Sequence, residues 1–169
     1  MLAQLQEFFT ADVVDKYLRP LVNRNNASTD RTQISLRTLD FLVTNFAPKN
    51  IALCTYMIGE RKFSIFHSYN SNLQLYHKSS FDPFQRGNVR VAVPNEGGVV
   101  STICQLNFLR WAIENGVIEF ATRNIELIRQ AKFECSKRRA QMAQPRKKSR
   151  QAKADVAEVY ERGAEHQCA

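Results

Sequence analysis

Apolar residues recur at three- and four-residue spacing from the start of the chain, at Leu2, Leu5, Phe9, Val13, Tyr17 and Leu18, and this period predicts a helix. Thr10 and Asp12 are placed to cap a restarted turn. Pro20 is expected to end or bend the helix, because proline has no amide proton for the ladder and its ring crowds the preceding turn. A polar loop runs from Asn23 to Thr32, after which Leu36, Leu39, Leu42, Val43 and Phe46 rebuild a helical stripe that Pro48 stops. From Asn50 the period drops to two. Ile51, Leu53 and Thr55 alternate with Ala52, Cys54 and Tyr56, and Gly59-Glu60 turns the chain into Phe63, Ile65 and His67, which reads as a hairpin. Leu73, Leu75 and His77 form a third alternating run and Val89, Val91 and Val93 a fourth, so a four-stranded antiparallel meander with one covered face is expected.

Pro94 to Gly98 closes the last strand, and Ser101 is placed to cap the next helix. That helix carries Ile103, Cys104, Leu106, Phe108, Leu109, Trp111, Ala112 and Ile113, leaving Asn107, Arg110 and Glu114 as a narrow polar edge. A helix apolar around most of its circumference belongs in the middle of a core. Asn115-Gly116 is its expected stop. Val117, Phe120, Ala121, Ile125, Ile128 and Cys135 continue as a one-sided stripe whose opposite face turns basic. The expected fold is therefore α+β: N-terminal helices, a four-stranded antiparallel meander, two C-terminal helices and a basic tail. A single domain is expected over residues 1–136, with a basic, partly flexible C-terminal extension over 137–169.

Composition supports one domain: 169 residues with 44% hydrophobic content suffice for a sizeable core. The N-terminus lacks the basic start of a signal peptide, and the chain contains no apolar run of the roughly 20 residues that a membrane span needs. No membrane insertion is expected, and a reducing compartment is. The four cysteines, Cys54, Cys104, Cys135 and Cys168, are widely spaced without a C-x-x-C pair. Cys54 and Cys104 read as small core residues, and Cys168 as an exposed thiol.

Charge changes the picture most. Between Arg129 and Lys153 there are 10 Lys or Arg against 1 acid, whereas Met1 to Ile128 holds 13 bases and 11 acids. A near-neutral globule with a basic extension reads as a folded module plus an electrostatic arm. Its candidate polyanion- or partner-binding residues are Lys137, Arg138, Arg139, Arg146, Lys147, Lys148, Arg150 and Lys153. A solubility tail or a two-part nuclear-import address has the same composition. Only Phe133 is aromatic within the block, so it offers no series of stacking platforms for single strands. Its charge suits phosphates or acidic protein without reading bases.

Other chemistry is thinly signalled. Gly97-Gly98-Val99-Val100-Ser101-Thr102 lies at an expected strand-to-helix junction but lacks the Lys of a P-loop and the third Gly of a dinucleotide fold. His67 and His77, with Cys54, fall short of a zinc ligand set. In Phe81-Asp82-Pro83-Phe84-Gln85-Arg86, Phe84 and Arg86 form a candidate loop anchor for a partner, against the alternative that both Phe pin the loop to the core. Asp40, His67, His77, Asp82, Arg86 and Glu114 fall in separate elements. No catalytic, cofactor-binding or metal-binding residues are therefore assigned, no cofactor is expected, and the chain is read as not an enzyme.

Three stretches carry a resemblance: Ser35 to Ala47 (SLRTLDFLVTNFA), Phe81 to Arg86 (FDPFQR) and Thr102 to Asn115 (TICQLNFLRWAIEN). Together they resemble a family of small proteins of large nucleocytoplasmic DNA viruses, over roughly residues 35–128 and short of the basic block. The resemblance brings no catalytic residues. It implies a non-enzymatic virion structural protein of minor capsid or capsid-associated type, with the basic arm contacting other virion proteins or the genome. The alternative is a sequence-nonspecific binder of DNA or RNA. The expected location is the virion, and the host cytoplasm or nucleus during infection.

Overall fold

The computed structural model describes residues 2–22, 34–76, 80–84, 90–92 and 99–142. The chain divides into two compact units, Met1–Arg129 and Gln130–Ala169. In the first, helix α1 (Leu2–Phe8) is followed by α2 (Ala11–Val13), which runs through a wide π-helical segment, Val14–Leu18, into α3 (Arg19–Val22). Helix α4 (Leu36–Phe41) repeats the device, passing through a π segment, Leu42–Phe46, into a 3₁₀ turn, Ala47–Lys49. Each wide segment ends two residues before a proline, Pro20 or Pro48. Widening the turn relieves the clash between the proline ring and the carbonyl four residues back, so Pro20 does not terminate its helix. Ser35 starts α4 by accepting a bond from the Thr38 amide at 3.2 Å, and Leu36 and Leu39 bury its inner face.

The hairpin forms about the expected Gly59-Glu60 turn, but its strands are shifted: Ile51 to Cys54, expected to open the first strand, form a turn, and Ile65 and His67, expected to close the second, are helical. Strands β1 (Thr55–Ile58) and β2 (Arg61–Ser64) pair antiparallel, Thr55 opposite Ser64 and Ile58 opposite Arg61. Gly59 takes φ 59° in the two-residue turn, a left-handed conformation that glycine reaches without steric cost.

The meander does not extend beyond this hairpin. Residues 65–76, which include Leu73 and Leu75 of the expected third strand, form helix α5 (Ile65–Tyr76), entered directly from β2. Ile65 and Tyr69 are buried one turn apart, whereas Leu75, on which the alternating pattern depended, is 75% exposed. The expected fourth strand survives as β3 (Arg90–Ala92), paired antiparallel with an unanticipated partner, β4 (Val100–Thr102). Among the described residues the structure is thus mostly helical, with two separate two-stranded antiparallel pairs in place of one four-stranded sheet.

Ser101, expected to cap the next helix, lies in β4 opposite Val91. Thr102 holds the cap position instead and accepts from the Gln105 amide at 3.3 Å. Helix α6 (Ile103–Glu114) is the expected centrepiece and packs against α1, α7 and β4. Its polar edge is narrower than the sequence suggests: Asn107 is buried and donates from Nδ2 to the Ser80 carbonyl at 3.0 Å. An aromatic cluster joins α5, α6 and the FDPF turn. Phe81 lies 5.7 Å from Tyr76, 5.8 Å from Phe108 and 5.7 Å from Trp111, centroid to centroid. Gly116, at φ 65°, ends α6 as its sequence predicts, and α7 (Val117–Arg123) follows. Residues 125–142 form a further helix, α8.

Candidate functional site

The sequence places its candidate site in the basic block. Lys137, Arg138 and Arg139 lie on α8 and are exposed. Arg146, Lys147, Lys148, Arg150 and Lys153 lie outside the described residues. Successive helical residues are about 100° apart, so the three described cations fan across about 200° of the helix circumference. No ion pair involves them among the described residues, while Arg129 lies 3.5 Å from Glu126. Phe133 and Met142 are exposed but sit nine positions apart, on about opposite sides of the helix, so they form no apolar stripe. The chemistry available on residues 130–142 is therefore charge, presented in several directions.

The remaining sequence candidates separate. Phe81 is fully buried in the aromatic cluster, so it pins its loop to the core. Phe84 is 46% exposed, beyond a turn closed by its own amide donating to Asp82 Oδ1 at 2.7 Å. Arg86, the other half of the candidate anchor, lies outside the described residues, as do His77, Gly97, Gly98 and Cys168. His67 stands on α5 and not on a strand. Cys54 is buried, and desolvation pushes its thiol up to about 11 from an ordinary 9.0; Cys104 is only half-buried. Among the described residues no group of three or more His, Cys, Asp or Glu is arranged to hold a metal ion, and no helix is long and apolar enough to cross a membrane. Burial pushes the Tyr69 hydroxyl up to about 12, with the Asp40 and Asp82 charges adding to the rise, so two scattered acidic candidates act on one buried phenol. Glu114 is held by Arg110 at 2.8 Å.

The structure also assembles a site that sequence reasoning missed. A cavity of about 520 Å³, open to solvent, lies where the hairpin meets the first two turns of α5. Arg61 and Lys62 line it from β2, and His67, Ser68 and Ser71 from α5. Thr55 on β1 and Ser64 at the strand-to-helix junction complete the polar lining, and the Ser64 Oγ is buried without a hydrogen-bond partner. A signal was present, because Ser64, Ser68 and Ser71 follow helical spacing with His67 beside them. Reading residues 63–67 and 73–77 as strands hid it.

All of residues 1–169 match a family described as "Family of unknown function (DUF7197)". The chain belongs to this family. It is also 29% identical over 148 residues to "Uncharacterized protein L507" of Acanthamoeba polyphaga mimivirus, an alignment covering 82% of this chain and 55% of the viral protein. The chain thus spans about half the length of the curated relative it matches. No solved structure matches it. The relationship to a giant-virus protein agrees with the resemblance seen in the three sequence stretches.

Proposed function

We propose that this protein is a non-enzymatic component of the virion of a large DNA virus, of minor capsid or capsid-associated type. It engages acidic partners by charge through the basic segment between Arg129 and Lys153. The observation that carries this reading is the fan of exposed cations at Lys137, Arg138 and Arg139 on a stretch of helix without an apolar stripe. Such a surface has little hydrophobic area to contribute and binds chiefly through Coulomb attraction and counterion release. The same fan favours a second reading, sequence-nonspecific binding of nucleic acid, because a helix lying in a groove meets phosphates on both flanks.

Changing Lys137, Arg138 and Arg139 together to Ala separates the two readings. For duplex DNA, each lost phosphate contact lowers the slope of log K against log salt by about 0.9, so three contacts flatten it by roughly 2.7 with no change in sequence preference. For a virion-protein partner, the unmodified protein shows little DNA affinity at physiological salt and the substitutions impair incorporation into particles. Unimpaired incorporation together with an unchanged salt slope overturns both readings.

A further inference from the structure

We propose that the cavity between the hairpin and α5 is a binding site for a small phosphate-bearing ligand, with the phosphate held by Arg61, Lys62, His67 and Ser68. The polar groups lining it offer donors. Arg61 donates from Nη2 to Asn115 Oδ1 at 3.3 Å and lies over the Phe63 ring at 5.8 Å, contacts that leave its other guanidinium N–H groups to donate. Lys62 is exposed, and neither cation forms an ion pair among the described residues. Ser68 Oγ accepts from Trp111 Nε1 at 2.9 Å, so its own proton is available to donate. His67 offers an N–H in either protonation state. Among the described residues no carboxylate lines the cavity. Donors and cations without an acid select an anion over a cation, and Arg and Lys together suit phosphate.

The start of α5 adds to this selection. The Ile65 amide is spent on the Cys54 carbonyl at 3.0 Å, and the next amides of a helical first turn have no intrahelical acceptor. Ser64 occupies the position from which a serine normally caps those amides, yet its Oγ makes no hydrogen bond. A buried hydroxyl in that state is costly, and rotation about its side-chain bond can turn it to the first-turn amides or to a ligand oxygen. Size decides between a bare ion and a carrier. About 520 Å³ falls within the range of small-ligand pockets and is far more than one phosphate fills, while Ile51 and Phe63 contribute apolar wall for an attached organic group.

The full chain is titrated with inorganic phosphate, with a nucleoside monophosphate and with a 5′-phosphorylated oligonucleotide, following the backbone amide signals of residues 61–71 by NMR. Saturable shifts centred on Phe66, His67 and Ser68 are expected. The monophosphate is expected to bind at least tenfold more tightly than inorganic phosphate and no more weakly than the oligonucleotide. Lys62→Ala should weaken the monophosphate about tenfold, Lys62→Glu should abolish binding and Lys62→Arg should restore it, all at an unchanged thermal midpoint because Lys62 is exposed. The Lys137, Arg138 and Arg139 triple variant should leave these shifts intact, so failure of this site and failure of the basic-segment reading are distinguishable. Linear, unsaturable shifts, equal affinity for inorganic phosphate and the monophosphate, tighter binding of the oligonucleotide, or indifference to Lys62→Glu would overturn the proposal.

Discussion

Two serines at helix starts show how one residue type acquires opposite energetic roles. Ser35 satisfies the Thr38 amide, with its Oγ also 2.9 Å from Thr38 Oγ1. Ser35→Ala is therefore expected to cost about 1 kcal/mol, read as a lower urea midpoint. Ser64 buries its hydroxyl unpaired, so Ser64→Ala removes an unsatisfied group and is expected to hold or raise the midpoint. A loss at Ser64 equal to that at Ser35 would mean that Ser64 caps α5 in solution. Cys54 gives a pH signature. Its thiol ionises near 9.0 when exposed and only near about 11 in the folded protein, so the folded state keeps the proton longer as pH rises. The stability associated with this group is complete below 9.0 and is lost across the window up to about 11. Urea midpoints measured from pH 8 to 11 should decline, and less steeply in Cys54→Ala. Equal slopes would place the pH dependence elsewhere, with the raised phenol of Tyr69 the next group to test.

At the scale of elements, α6 and the FDPF turn depend on each other through aromatic packing. Phe81 is fully buried among Tyr69, Tyr76, Phe108 and Trp111, so Phe81→Ala leaves a cavity that these rings cannot readily close. The expected cost is about 3–5 kcal/mol in equilibrium unfolding. Trp111 reports the event: it is 5% exposed and donates to Ser68, so its native emission should be blue-shifted and move red as the cluster opens. Wild-type emission resembling a solvated indole would contradict this packing. The hairpin is tied to α6 and α7 separately, by Tyr56 donating to the Asn115 carbonyl at 2.8 Å and stacking on Phe120 at 5.4 Å. The β2 wall of the cavity is thus anchored through Tyr56, whereas its α5 wall is tied to the aromatic cluster by Trp111 donating to Ser68 at 2.9 Å.

For the whole molecule, charge and fold are segregated along the chain. The unit Met1–Arg129 contains the aromatic cluster and the cavity, and Lys137, Arg138 and Arg139 fall in the unit Gln130–Ala169. Exposed, unpaired cations contribute little to stability, so the Lys137, Arg138 and Arg139 triple Ala variant is expected to unfold within about 0.5 kcal/mol of wild type while its polyanion binding falls. A stability loss of several kcal/mol would mean that this helical segment is part of the fold it is here separated from.

Much of this architecture was legible from local pattern. The N-terminal helices, the Gly59 hairpin, the buried α6 and its Gly116 stop follow from period, capping and backbone conformation, which neighbouring residues largely determine. The concentration of positive charge was legible too, because charge needs no fold to be counted. The identity of α5 was not. Leu73, Leu75 and His77 satisfy a two-residue period, and only the aromatic partners of Tyr69 and Tyr76, supplied by Phe81, Phe108 and Trp111, favour the helical face instead. The β3–β4 pairing joins segments about ten residues apart whose match lies in backbone hydrogen bonds, which side-chain pattern does not encode. The cavity belongs to the same class. Arg61 and Lys62 on a strand and His67 and Ser68 on the following helix have no common period, and they line one space only because the chain passes from β2 into α5 without a loop.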